Sequence, residues 1–302
     1  MSYVFFPGCS LDSTARGYRL STEAVARALG LDLPELPDWT CCGSTAAHQS
    51  SSLLAVALPA QNLLAASGKT MAVACAACSS RLKVANHEIA NAPATREWVA
   101  GVLGADYDGS TPVQHLLEII RDEVGLDEIG KRVRAPLTGL RVACYYGCLL
   151  VRPPDVVRFD DPENPMSLDQ VVAATGAEPV EWPYKTECCG ASHSITKVAI
   201  VERLSHDILA MARDAGADCI VTACPLCQLN LDLRQKDIEA HFGERLGLPV
   251  LFFTQLLGLA LGLKPSALGL DSLIVDPLPM LAKRGLAPRP GARPVVAARA
   301  WK

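Results

Sequence analysis

Hydrophobic positions change period several times along the chain. Gly139 to Tyr145 (GLRVACY) and Asp218 to Ala223 (DCIVTA) are short, nearly continuous apolar runs, the pattern of strands buried on both faces. Leu53 to Ala66 and Ile195 to Ala215 carry apolar residues at helical spacing and are rich in helix formers. The most apolar stretch, Leu248 to Leu263, is broken by Thr254 and Gln255 and falls short of a membrane span, so it predicts a buried strand followed by a helix. Strands alternating with helices predict an α/β fold of parallel sheets flanked by helices. Past Pro265 the composition shifts: five prolines between Pro277 and Pro294, with several arginines, predict an extended tail over about 266–302.

The bulk numbers narrow the class. Half of the 302 residues are hydrophobic and a fifth are charged, as in ordinary globular proteins. A net charge of −4 offers no footprint for a polyanion, which argues against nucleic acid as a partner. The start, MSYVFFPGCS, lacks the basic and apolar regions of a signal peptide, and the expectation is a cytoplasmic protein without a transmembrane segment. Twelve cysteines in such a chain call for metal binding or redox chemistry rather than disulfides.

Ten of those cysteines are written twice. Cys9, Cys41-Cys42-Gly43 and Cys75-x2-Cys78 give C-x31-CCG-x31-C-x2-C, and Cys148, Cys188-Cys189-Gly190 and Cys224-x2-Cys227 give C-x39-CCG-x33-C-x2-C. Phe5 to Cys9 echoes Tyr145 to Cys148, with Tyr145 and Tyr146 answering Phe5 and Phe6, and Gln114 to Leu117 echoes Thr254 to Leu257, placing His115 opposite Gln255. Self-similarity at this period predicts two tandem, pseudo-symmetric domains, 1–137 and 138–302, joined at the turn-like stretch Arg134 to Gly139. Each CxxC falls where a strand gives way to a helix, with Pro225 suited to the first helical position. Backbone N–H groups at such a helix start favour an anionic ligand. Gly43 and Gly190 suit a tight turn after the paired cysteines.

Four thiolates complete a structural zinc site or a cubane cluster, and a fifth exceeds both. A fifth ligand makes sense where one thiolate bridges two irons in an opened cluster. On all ten cysteines and nearly the whole chain, the sequence resembles the family of B-type subunits of heterodisulfide reductase, whose signature is a duplicated CCG motif. That resemblance implies two non-cubane [4Fe–4S] clusters. Cys9, Cys41, Cys42, Cys75 and Cys78 would hold the first, and Cys148, Cys188, Cys189, Cys224 and Cys227 the second. It also implies an oxidoreductase acting on disulfide, thiol or sulfane sulfur, in a complex with a ferredoxin-like iron–sulfur subunit and a flavoprotein subunit. The richness in Ala, Arg, Leu and Pro points to the bacterial sulfur-oxidising branch, where a lipoate-binding protein would carry the sulfur. Two other functions remain open: an electron-transfer-only subunit of a lactate, glycolate or succinate-type dehydrogenase, and a structural zinc protein. No ferredoxin-type C-x2-C-x2-C-x3-C run is present.

Other residues read more plainly. Cys144 and Cys219 lie in apolar strand context, where cysteine behaves as a small hydrophobe. His193, four residues past Cys189, is a candidate hydrogen-bond or proton donor near the second set, and His48 has the same standing near the first. His115 is expected to serve the core or a helix cap. Tyr145 and Tyr146 are expected to supply aromatic packing around the site, not hydroxyl chemistry.

Overall fold

The computed structural model describes residues 2–44 and 46–286. Seven short strands form two parallel sheets. β1 (Tyr3–Phe6), β2 (Thr70–Val73) and β3 (Val113–His115) lie in the order β1-β2-β3. β4 (Arg141–Tyr145), β5 (Glu178–Pro179), β6 (Cys219–Thr222) and β7 (Val250–Phe252) lie in the order β5-β4-β6-β7. The chain is α/β with parallel sheets between helices, as its periodicity predicts. The apolar runs at 139–145 and 218–223 become β4 and β6, and the helical stretches become Ser52–Ala65 and Val198–Asp214. Ile195 falls outside its helix and is 93% exposed, because a short 3₁₀ turn, Ala191–His193, precedes it.

β4, β6 and β7 repeat β1, β2 and β3. Phe6 lies beside Val73 and Val73 beside His115, just as Tyr145 lies beside Thr222 and Thr222 beside Phe252. This register corrects two details of the sequence repeat. Tyr145 takes the place of Phe6, so Tyr146 answers Pro7. His115 takes the place of Phe252, not Gln255, because the matching leucine pairs sit about one helical turn apart relative to their strands. The residue opposite Gln255 is Glu118. Both receive the backbone N–H of the residue that starts the helix, Glu118 from His115 at 2.6 Å and Gln255 from Phe252 at 2.9 Å. The second sheet has β5 at its edge where the first has a single bridge between Phe5 and Glu35.

One continuous core runs through both sheets. Helix Arg16–Leu29 leaves the first half to pack on helix Phe253–Ala260 and the 3₁₀ turn Pro265–Leu268. Tyr18 stacks on Phe252 with ring centroids 4.0 Å apart, a pairing worth about 0.5–1.5 kcal/mol beyond its burial. Thr254 and Gln255 are fully buried because both serve this contact: the Thr254 hydroxyl meets Ser21 at 2.7 Å, and the Gln255 amide donates to Leu268 O at 3.1 Å.

Where a tail is expected from about residue 266, the described part is packed. Leu268, Leu270 and Leu273 are buried, Asp232 accepts the N–H groups of Ile274 and Val275, and Leu281 is buried on helix Leu278–Lys283. The apolar residues alternate with the prolines closely enough to seat each short turn. The remainder of that expectation, 287–302, lies outside the described residues.

Gly17 makes this packing close. A Cβ added there would come within 2.8 Å of Gly269 O. Gly17→Ala is expected to cost about 1–3 kcal/mol by overpacking, read from urea unfolding. Gly101→Ala, in a helix with open space around it, is expected to stabilise by about 0.5–1 kcal/mol.

Candidate metal centre

The ten duplicated cysteines converge into two sets built alike. Cys9 follows β1 on the short helix Gly8–Asp12, and Cys148 follows β4. Gly8 and Gly147 before them have φ of +70° and +65°, and a Cβ at either would stand 3.0 Å from the sulfur of Cys78 or Cys227. Only glycine fits these positions without pressing on a thiol. Cys75 and Cys224 are the N-cap residues of helices Ala76–Asn91 and Pro225–Leu233, where the strand-to-helix turn aims N–H groups at the sulfurs. The N–H of Cys78 meets Cys75 Sγ at 3.5 Å.

Within each set the sulfurs pair in the same way. Cys41 and Cys9 are 3.9 Å apart, as are Cys188 and Cys148, while Cys42–Cys78 and Cys189–Cys227 are 3.1 and 3.5 Å apart. Gly43 and Gly190 direct their N–H groups at Cys41 and Cys188, at 3.4 and 3.3 Å. The first cysteine of each pair is exposed and the second buried, so each set has an outer and an inner side. Cys75 and Cys224 face each other across the halves: Cys75 is pushed up chiefly by the Cys224 thiol, and Cys224 is pulled down by Cys227 and then by Cys75.

Crowding governs the other thiols. Cys78 and Cys227 are pushed far up, by Cys42 and Cys189 respectively and then by their CxxC partners and burial. Cys9 and Cys148 rise beside Cys41 and Cys188. Cys41 falls through hydrogen bonds from Cys42 and Cys9. Cys188 falls to about 6 through its bond from Cys148, helped by the Gly190 N–H and by His193. His48 instead meets Arg81 at 3.0 Å.

Several supports are residues that spacing did not single out. Asn62 accepts the N–H of Thr40 at 2.8 Å and so anchors the loop ahead of Cys41. Ahead of Cys188 the carbonyl of Lys185 accepts the N–H groups of Tyr146 and Gly147, and the Tyr145 hydroxyl donates to Glu187 O at 2.6 Å. Lys185 is itself buried and paired with Asp169 at 2.9 Å, and Asp169 also accepts the Tyr146 hydroxyl at 2.5 Å. Both tyrosine hydroxyls thus brace the loop through hydrogen bonds in addition to the packing of their rings. The N-terminal side of each pair needs such anchors because it has no regular structure of its own. Asn230, three residues past Cys227, donates to Cys189 O at 3.1 Å and lies 3.7 Å from its sulfur. Cys144 and Cys219 are fully buried in β4 and β6 and stand apart from both sets, as expected. His115 is the N-cap of helix Leu116–Ile119, its Nδ1 accepting the N–H of Leu117.

All the donors are thiols, gathered beside glycines that leave no side chain against Cys78 or Cys227, and this fits iron–sulfur ligation. Among the described residues no three His, Cys, Asp or Glu side chains are arranged to hold a single metal ion. The match to known proteins agrees. The cysteine-rich (CCG) domain matches twice, at residues 3–83 and 142–232, and the chain belongs to that family. Its relatives include the B-type subunit of the ferredoxin/F(420)H(2)-dependent CoB-CoM heterodisulfide reductase of Methanosarcina acetivorans, 33% identical over 92% of this chain and 95% of that one. The 8-methylmenaquinol:fumarate reductase membrane anchor subunit of Wolinella succinogenes is also 33% identical, over 91% of this chain and 97% of the other. A hypothetical protein from Helicobacter pylori has the same fold, with a TM-score of 0.72 at 14% identity; this chain matches 52% of that longer one. Among the described residues no helix is long and apolar enough to cross a membrane.

In cluster-free, reduced protein, Cys188 is expected to react with iodoacetamide well below neutral pH. A depressed pKa means that the thiolate persists as pH falls and is lost only through about 6. Cys9 is as exposed but raised, and is expected to lag at pH 7; peptide mass spectrometry of initial rates reads the order.

Proposed function

We propose that this chain is the B-type iron–sulfur subunit of a heterodisulfide reductase-like oxidoreductase. Its two halves, 1–137 and 138–302, each hold one non-cubane [4Fe–4S] cluster, through Cys9, Cys41, Cys42, Cys75 and Cys78 and through Cys148, Cys188, Cys189, Cys224 and Cys227. The observation that carries the proposal is that the sulfurs pair alike in the two halves, Cys9–Cys41 and Cys42–Cys78 in one and Cys148–Cys188 and Cys189–Cys227 in the other, with both CxxC turns within reach of one His115 nitrogen. When bound, such clusters supply one-electron chemistry and, where a fifth thiolate opens them, iron that accepts an external sulfur.

The chain's own residues do the rest. The outer thiols Cys9, Cys41 and Cys188 leave each set accessible from solvent, so a disulfide, thiol or sulfane sulfur can approach. The inner thiols and the aromatic packing of Phe6 against Trp39 and Tyr145 against Trp182 shield the other side. To His193, four residues past Cys189, we assign the delivery of a proton to a departing thiolate. Electrons come from a ferredoxin-like subunit and a flavoprotein subunit in a cytoplasmic complex, and a lipoate-binding protein carries the sulfur in the bacterial setting.

A second reading is electron transfer alone, favoured by the similarity to a fumarate reductase subunit. Anaerobic protein is expected to contain about eight irons and eight acid-labile sulfides per chain; zinc with little sulfide would overturn the cluster reading. Cys189→Ser is expected to abolish thiol-dependent EPR signals from the second site while the first keeps its own, and Cys42→Ser the reverse, with circular dichroism confirming the fold. Spectra indifferent to thiols and disulfides would leave the electron-transfer reading.

A further inference from the structure

His115 is completely buried at the meeting of the two halves. Its Nδ1 accepts the N–H of Leu117 at 3.1 Å, so the ring proton sits on Nε2. Nε2 lies 2.9 Å from Ala74 O and 3.2 Å from Ala223 O. These are the carbonyls immediately before Cys75 and Cys224, the two thiols that face each other. Phe159 meets the imidazole edge-on with centroids 6.1 Å apart, and Phe253 lies on another side. The ring has no room to turn away.

The corresponding residue of the second half, Phe252, has no donor. It stacks on Tyr18, whose hydroxyl gives Ala74 O a second hydrogen bond at 2.7 Å. The repeat is therefore broken at the one position where a single N–H can reach both CxxC turns. A helix cap alone would need Nδ1 and nothing more; the Nε2 contacts are a separate feature.

We propose that His115 is a positioning residue that fixes the separation of the two cysteine sets by sharing one N–H between the turns that carry Cys75 and Cys224. The Cys224 turn is then held by the first half as well as by its own. Moving one set moves the other. On the two-cluster reading, this sets the distance over which the clusters interact.

The test separates the two nitrogens. His115→Asn keeps an amide near Nδ1 and so the cap, whereas His115→Gln reaches the place of Nε2 and so keeps the clamp. Hydrogen–deuterium exchange of the anaerobic protein is followed at residues 75–78 and 224–227. His115→Asn is expected to speed exchange about tenfold in both segments, the loss of one buried hydrogen bond, with the larger rise at 224–227, which lacks the Tyr18 support. His115→Gln is expected to stay within about twofold of wild type there. His115→Phe, which copies the counterpart residue, is expected to behave as His115→Asn, so that misfolding of one variant leaves the other to decide. Changes confined to 113–119, or Asn and Gln variants that behave alike, would overturn the proposal. Iron analysis reports separately on the cluster reading, which the exchange measurement does not need. Where iron is present, the magnetic interaction between the two sites in EPR is expected to weaken in the Asn and Phe variants and to persist in the Gln variant.

Discussion

Ten sulfurs gathered at one interface cannot all be thiolates unless positive charge stands among them. Each ionised sulfur makes the next ionisation harder, and burial of the inner ones adds to the cost. Cys75, Cys78 and Cys227 feel both effects and are held protonated in their bare state. Among the described residues the cations around the sets have partners of their own: Lys185 pairs with Asp169, Arg81 meets His48, and Arg234 meets Asn230 and Ser194 O. The fold supplies oriented N–H groups instead, from Gly43, Gly190 and the first turns of the CxxC helices. These can hold a weakly anionic group of thiolates and irons, but not ten free thiolates. The strands, glycines and helix starts bring the sulfurs close while leaving only some of them, Cys41, Cys188 and Cys224, inclined to ionise.

Much of this could be read from the chain before its structure. Cysteine spacing marks the sets, and apolar period marks β4, β6, β7 and the helices around them. What spacing misses is contact between residues far apart. Lys185 looks like a surface lysine until Asp169 and Tyr146 are brought beneath it, and Tyr18 looks like an ordinary helix residue until it meets Phe252 and Ala74 O. The three-residue slip at His115 has a different origin. Leucine pairs repeat at helical spacing, so a match between them fits equally well one turn along, and only the strand register decides.

The two halves are alike in sulfur geometry and unlike in support. The first set leans on Asn62, the second on a buried ion pair and two tyrosine hydroxyls. Breaking a buried pair by removing one partner costs about 3–5 kcal/mol, far more than the loss of one amide contact. The loop ahead of Cys188 is thus more firmly founded than the loop ahead of Cys41, and the second set also has Asn230 against the Cys189 sulfur. Duplication gave the frame, and divergence acted on the loops ahead of the paired cysteines.

The seating of helix Arg16–Leu29 on the far end of the chain bears on how the protein is made. Ser21, whose hydroxyl also reaches Tyr18 O within its own helix, meets Thr254 233 residues downstream. At about 5–20 residues per second, that interval is on the order of 10–50 s of synthesis. Until the second half is made, the first stands with Tyr18 and its neighbours uncovered and with Cys75 lacking its opposite number. Assembly of the two sulfur sets as a pair therefore waits for Cys224 and Cys227.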